Sequence, residues 1–336
     1  MNKPVFHPDC SRTIRVIESH TSGEPTRIVY DGFPPAPGTT IMEKKLFLEK
    51  NFDNLQSAIL CEPRGHKDMV GAVLLDPVNA SSDLGVIFMD AYRWINMCGH
   101  ASMGVAYAAV ETGIVPSRGK VTNVVLDTPA GTVTVSVDTS TNECVLYNVP
   151  SYLALPNCLV KIDDMGVNFS VAYGGTFFAI IDLNSIGKTL AGIDILNLVD
   201  FTKHFLKAAN EKYSVKHPFE NISRIVNVEY FEKTEDHGHY RNIVISEQGE
   251  IDRSPCGTGT SAELAALFGK GQIKESEVLN NTNFLGSTFL ASISESKNIG
   301  PYSGIVPKIT GKVFIIGKSD FYLSDKDPCN NGFNIF

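Results

Sequence analysis

Two stretches of this chain can be laid on each other. CGHASMGVAYAAVETG starts at Cys98 and CGTGTSAELAALFGKG starts at Cys256. Each runs from a Cys-Gly to a glycine fifteen residues on, Gly113 and Gly271, and each carries alanine in eleventh place, Ala108 and Ala266. Small and apolar residues dominate both rows. A helix with so little polar surface has to be buried, and a glycine at its end suits a C-cap. The spacing between the rows far exceeds a solenoid period, and 336 residues are more than one core usually organises. The pattern therefore predicts a duplicated domain, each copy built around a buried helix that begins at a cysteine.

The segments between them read as α/β. TIRVIESHTSGEPTRIVYDG is strand, turn, strand, with SHTSGEP as the turn. IMEKKLFLEKNFDNLQSAI and VDFTKHFLKAANEKYSV have helical periodicity. MVGAVLLDP, LGVIFMD and GKVFIIGKSDFYLS read as strands, and KVTNVVLDTPAGTVTVSVD as a hairpin turning at Pro-Ala-Gly. VAYGGTFFAIID reads as one strand with an internal Gly-Gly, and RNIVISEQGEIDRSPCG as a strand and a loop leading into the second cysteine helix.

Composition narrows the function. The chain holds 29 Lys and Arg against 37 Asp and Glu, a net charge of −8, with no basic run interleaved with aromatics. That argues against nucleic acid and against anionic membranes. No segment reaches the roughly 20 apolar residues that span a bilayer, and MNKPVFHPDCSRTIRV lacks an apolar leader core, so neither a membrane span nor a signal peptide is expected. Seven cysteines, odd in number, irregular in spacing and without a CxxC, form neither a disulfide framework nor a zinc ribbon. Free thiols in a reducing cytoplasm are the expectation.

A helix N-terminus carries about half a positive charge and unpaired N–H groups. A thiol there is expected to ionise more readily, and the same N–H groups can hold a carboxylate. Two such helices meeting at a cleft would clamp one small anion and set one sulfur on each side of it. That geometry suits removal of a proton from one face of a carbon and delivery to the other. His100 and Asp252, close to the two thiols, could bond a substrate or anchor an ammonium. Two small apolar cysteines packed at helix ends would leave the same pattern. A cysteine peptidase or acyltransferase using Cys98 would leave the second thiol idle. CGTGTS as a phosphate cradle lacks a P-loop lysine and GxGxxG spacing.

NMCGHASMGVAYAAVETGIV and DRSPCGTGTSA resemble the two signature segments of the proline racemase family. SHTSGEPTRIV, EPRGHKDMVGA, GVIFMD, LDTPAGTV, YGGTFFAI, VKHP, VPKITG and DPCNNGF resemble further family segments in the same order, so the likeness covers nearly the whole chain. The resemblance implies an α/β fold like that of diaminopimelate epimerase: two pseudo-symmetric domains, each a curled, mostly antiparallel sheet around a central helix, with the site in the cleft between them. The expected division is residues 1–130 plus 318–336 for the domain carrying Cys98, and 131–317 for the domain carrying Cys256. It also implies a homodimer that uses no cofactor and no metal and acts on a small-molecule substrate.

Carried onto this chain, the resemblance makes Cys98 and Cys256 the acid–base pair. The amides of Gly99, His100, Gly257 and Thr258 would hold the substrate carboxylate, and the side chains of Asp252 and His100 the ring nitrogen. Cys256 argues against the branch that dehydrates trans-3-hydroxy-L-proline, where threonine takes that place. Val70 and Ser246 stand where proline-specific members carry aromatics facing the ring, and Arg93 stands where the family tends to small residues. Interconversion of L- and D-proline is the leading expectation, with 4-hydroxyproline 2-epimerisation as the alternative.

Overall fold

The computed structural model describes residues 9–335. In chain order the first half contains β1 (Arg12–Thr21), β2 (Glu24–Asp31), α1 (Ile41–Leu60), β3 (Val70–Leu75), β4 (Leu84–Asp90), the short β5 (Trp94–Ile95), α2 (Gly99–Glu111), β6 (Thr122–Thr128), β7 (Gly131–Asp138) and β8 (Glu143–Tyr147). The second contains β9 (Ser151–Ile162), β10 (Met165–Tyr173), β11 (Phe177–Asp182), α3 (Ile195–Lys212), β12 (Ile225–Lys233), β13 (His239–Ser246), α4 (Gly257–Gly269), β14 (Leu279–Asn283), β15 (Thr288–Ile299) and the long β16 (Tyr302–Leu323).

The hydrogen-bond ladders form two closed sheets that share β16. The first runs β1–β2–β3–β4–β6–β7–β8 and closes through the latter part of β16, where Val313–Leu323 pair with Thr21–Arg12. The second runs β9 to β15 and closes through the start of β16, where Gly304 and Ile305 pair with Tyr152 and Ser151. Both sheets show the same alternation. β1–β2 is antiparallel, β2–β3 parallel, β3–β4 antiparallel and β4–β6 parallel. β10–β11, β11–β12, β12–β13 and β13–β14 repeat that order, and the remaining pairings in both are antiparallel. α1 and α3 occupy the first parallel crossover of each half, α2 and α4 the second. The duplication expected from the two cysteine rows is thus a duplication of topology.

The helix contents explain the layering. Every residue of α2 from Gly99 to Val110 is buried, as is nearly every residue of α4. Each full burial of an aliphatic side chain contributes about 1.5–3 kcal/mol, so a helix so dominated by small and apolar residues belongs inside its sheet. α2 packs against β1, β2, β3, β6, β7 and β8, and α4 against β9, β10, β11 and β15. α1 and α3 bury only one face and lie outside. Thr40 caps α1 by accepting from Glu43 N–H, and Asp194 caps α3 by accepting from Leu196 and Asn197 N–H. Both central helices end as their sequences predict, with Gly113 and Gly271 at φ of +77° and +69°.

Three expectations change. The division at 130/131 falls inside a hairpin, because β6 pairs with β7 down to Thr128–Gly131 and α2 packs on β7 and β8. The ladders put residues 131–147 with the first sheet, and β16 rejoins β1 from Val313 rather than from 318. VAYGGTFFAIID is not one strand: β10 ends at Tyr173 and β11 returns antiparallel from Phe177. Gly174 permits this because a Cβ there would lie 2.1 Å from Thr258 O on α4, and Gly175 sits at φ +120°. α3 starts at Ile195, ahead of the Val199 at which the sequence reading begins, because Asp194 supplies the cap.

Candidate active site

The two central helices point their N-termini at each other. A Cβ added to Gly99 would lie 3.1 Å from Gly257 Cα, and one on Gly257 would lie 3.1 Å from Gly99 Cα. Glycine at the first helical position of each row therefore allows the two helix starts to meet backbone to backbone. A cavity of about 300 Å³ opens there, between the two sheets. Its lining includes all nine residues singled out from the sequence: Cys98, Gly99, His100, Cys256, Gly257, Thr258, Asp252, Val70 and Ser246.

Cys98 is the N-cap residue of α2 and Cys256 that of α4, and each is 7% exposed. Cys98 Sγ lies 3.3 Å from His100 Nδ1. Cys256 Sγ accepts from Gly259 N–H at 3.3 Å and lies 3.5 Å from Thr258 Oγ1. The expected easing of ionisation at the helix starts is outweighed in this structure. Burial pushes the Cys98 thiol well above its ordinary range, and the Asp252, Glu24 and Asp90 carboxyls act the same way against the Ala101 N–H. Burial also pushes Cys256 well up, helped by Asp252 and Glu229 and opposed by Thr258 and Gly259. The helix termini lower the cost of a thiolate without making it the resting form.

The other groups form two sets. Burial lowers His100 and keeps it neutral, although Asp252 and a hydrogen bond to the Pro25 carbonyl favour its charged form. Asp252 Oδ1 accepts from the Ser254 N–H and hydroxyl, both at 2.7 Å. These bonds leave a carboxylate oxygen for the cavity, and Ser254 Oγ in turn accepts from Cys256 N–H at 3.0 Å. The far wall is more polar than the sequence suggested: Lys45, Asp90, Arg93, Asn96 and Glu250 all line it. Burial, with Asp90, raises the Glu250 carboxyl to about 8. Ser246 Oγ donates to Glu250 Oε2 at 2.9 Å and accepts from Glu250 N–H at 3.1 Å, so its hydroxyl is already committed. Val70 lies across the cavity at the start of β3.

Sequence reasoning passed over the groups that tie the halves together. Arg253 Nη2 pairs with Asp68 at 2.8 Å, Asp68 also accepts from Ile251 N–H, and Glu24 accepts from Arg253 N–H. Arg93 Nη1 reaches Glu247 at 3.4 Å. Glu24 and Asp68 stand in SHTSGEP and GHKDMVG, segments whose charged residues were a usable signal; nothing local revealed that both would reach Arg253.

Residues 16–334 match the family model described as "Proline racemase". The chain is 41% identical over 329 residues to a proline racemase of Clostridioides difficile, covering 96% of this chain and 98% of that one. It is 34% identical over 327 residues to a 4-hydroxyproline 2-epimerase of Streptosporangium roseum, covering 96% and 98%. A solved hydroxyproline epimerase from Agrobacterium vitis, with bound trans-4-hydroxy-L-proline, superposes with a TM-score of 0.89 at 27% identity, covering 97% of this chain and 96% of that one. Among the described residues, no helix is long and apolar enough to cross a membrane.

Proposed function

This chain belongs to the proline racemase family, and from that premise we propose that it inverts the α-carbon of a proline-type amino acid by proton transfer between Cys98 and Cys256. The observation that carries the reading is the meeting of two thiol-bearing helix starts at one cavity. The amides of Gly99, His100, Gly257 and Thr258 hold the substrate carboxylate at the two positive helix ends. Asp252, with His100, holds the ring nitrogen. One thiolate takes the α-hydrogen, the helix ends stabilise the charge that spreads onto the carboxylate, and the opposite thiol returns a proton to the other face. The substrate's ammonium helps to start this sequence. Asp252 opposes ionisation of both thiols, so a cation paired with it removes a shared obstacle to forming the thiolate.

Proline is the leading substrate, and the likeness to a proline racemase at 41% identity supports it. A specific observation favours 4-hydroxyproline as well: Ser246, Glu250 and Arg93 give the cavity a polar wall where a bare ring would be better served by apolar surface. The reading includes activity on both. It also carries a homodimer and a reducing cytoplasm, the latter in keeping with seven free cysteines. Polarimetry with L-proline, D-proline and trans-4-hydroxy-L-proline under one buffer tests the reading. Optical rotation should decay toward zero from both proline enantiomers at matched rates and should change with hydroxyproline. A flat trace with all three rules the reading out.

A further inference from the structure

Beneath Cys256, away from the cavity, lie two carboxyls that the proton transfer does not use. Glu229 on β12 and Glu263 on α4 are both 0% exposed. Asn281 Nδ2 lies against both, 3.4 Å from Glu229 Oε1 and 2.8 Å from Glu263 Oε2, and burial pushes both carboxyls up toward their protonated forms. Glu229 Oε2 and Glu263 Oε1 are buried without a hydrogen-bond partner. The remaining oxygens are held by amides: Asn242 Nδ2 donates to Glu229 Oε1 at 2.8 Å, and Asn281 Nδ2 to Glu263 Oε2 at 2.8 Å.

Two contacts connect this pair to the thiol. Gly259 lies between them: a Cβ there would sit 2.4 Å from Glu229 Oε2 and 3.1 Å from Cys256 Sγ. Asn242, oriented by Glu229, also donates to the Pro255 carbonyl at 2.7 Å, and Thr260 Oγ1 donates to the same carbonyl at 2.8 Å. The next residue is Cys256, at φ +63° and ψ 106°. A non-glycine residue held there is strained and persists only when its surroundings impose it. The grip on the Pro255 carbonyl is such a constraint.

We propose that Glu229, paired with Glu263, is a positioning residue for Cys256: through Asn242 it anchors the loop that presents the sulfur, and on losing its proton it puts a negative charge beside that sulfur and not beside Cys98. The charge is available in the neutral range. Burial raises Glu229 to about 7, against hydrogen bonds from Glu263, Asn242 and Asn281 that favour the ion. The other ionisable groups facing the pair are acids as well: Asp252 toward Glu229, Asp182 and the Tyr240 phenol toward Glu263. Glu229 opposes ionisation of Cys256, whereas the carboxyls acting on Cys98 are Asp252, Glu24 and Asp90. Below neutrality the pair is uncharged and the thiol is spared. Above it, Cys256 holds its proton more firmly. The two kcat/KM values for a pair of enantiomers must remain equal at equilibrium, so the asymmetry has to be read from the sulfurs themselves.

The proposal rests on the two-thiol reading for its consequence in turnover, but labelling reports the sulfurs whatever the substrate, so the two can fail separately. The test is iodoacetamide labelling of the full chain across about pH 5.5–9, with Cys98 and Cys256 peptides quantified by mass spectrometry, in wild type, Glu229→Gln and Glu263→Gln. Glu229→Gln keeps the shape and the bond from Asn242 but removes the charge next to the sulfur. Its Cys256-to-Cys98 labelling ratio should match wild type at acid pH and exceed it by up to about tenfold above neutrality, one pKa unit of thiolate. Glu263→Gln keeps the Glu229 charge and should follow wild type. Superimposed profiles for Glu229→Gln and wild type, or a Glu263→Gln profile that follows Glu229→Gln, overturn the proposal. If Glu229→Gln does not fold by circular dichroism, the wild-type profile decides. An inflection in Cys256 labelling near neutrality supports the proposal, and a steady rise of about tenfold per pH unit overturns it.

Discussion

Cys98 enters α2 at φ −141° with no cap hydrogen bond and its sulfur against the His100 ring. Cys256 enters α4 at φ +63°, its sulfur accepting from Gly259 N–H with the Thr258 hydroxyl alongside. Two residues past each thiol stands a side chain that touches it, an imidazole in one half and a hydroxyl in the other. Seven residues past each, at a fully buried helical position, stands Val105 in one half and Glu263 in the other. Strand order, crossover helices and helix ends were kept through the duplication. The groups that adjust each sulfur were not. A frame built from repeated backbone can thus carry two chemically distinct ends of one reaction, because the ladders depend on main-chain pairing while proton affinity depends on a few neighbouring side chains.

The comparison breaks most sharply if one sulfur is removed. Cys98→Ser and Cys256→Ser should each lose racemisation by a factor on the order of 10²–10⁴, the usual contribution of a positioned acid or base. A serine hydroxyl ionises far too weakly to stand in. The sharper readout is hydrogen exchange in D2O: each variant should still exchange one proline enantiomer slowly, and the enantiomer should differ between the two. Retention of a third of wild-type turnover in either variant would falsify the two-thiol scheme, and loss of exchange with the same enantiomer in both would show that the sulfurs do not face opposite sides.

Next in size is the pair of neighbours. His100→Ala should cost about 10- to 100-fold in kcat/KM, because it removes both a contact to Cys98 and a partner for the ring nitrogen, a bond to a charged group. Thr258→Ala should cost only about 2- to 10-fold, the range for a neutral hydrogen bond. Parallel kinetics on both variants check the order. Equal losses would mean that the halves are more alike than their side chains indicate.

The smallest effect concerns the wall that both halves share. Ser246→Phe should move the kcat/KM ratio toward proline over trans-4-hydroxy-L-proline by a few-fold, up to about tenfold. The cause differs from a simple loss of a ring-hydroxyl partner. Ser246 already donates to Glu250, so the phenylalanine acts by filling the cavity and covering that carboxyl. A ratio that stays put, or moves toward hydroxyproline, would mean that Ser246 does not face the ring.

Much of the fold was legible. Rows dominated by small and apolar residues announced α2 and α4, and short apolar segments such as MVGAVLLDP and LGVIFMD marked strands. The nine site residues named from sequence line one cavity, since Cys-Gly at a helix start is a local pattern. The misses have physical reasons. The hairpin at Gly174 depends on a contact with Thr258, a residue remote in sequence. The division at 130/131 failed because a strand's sheet is set by its ladder partner, and β7 and β8 look no different from strands of the second half. That the Ser246 hydroxyl is bound to Glu250 was not legible either, because that partner, four residues on, lies across a turn.

The sequence by itself determined the periodicities, the caps, the glycine helix ends and the twin placement of two thiols, all of which depend on residues within a few positions of one another. Only the tertiary structure decided how readily those thiols ionise. A helix start favours the thiolate, yet burial and the carboxyls of Asp252, Glu24, Asp90 and Glu229 oppose it and prevail. Those carboxyls come from elements far apart in the chain. Their effect rests on distance and on the exclusion of water, neither of which exists until the two sheets have closed around their helices.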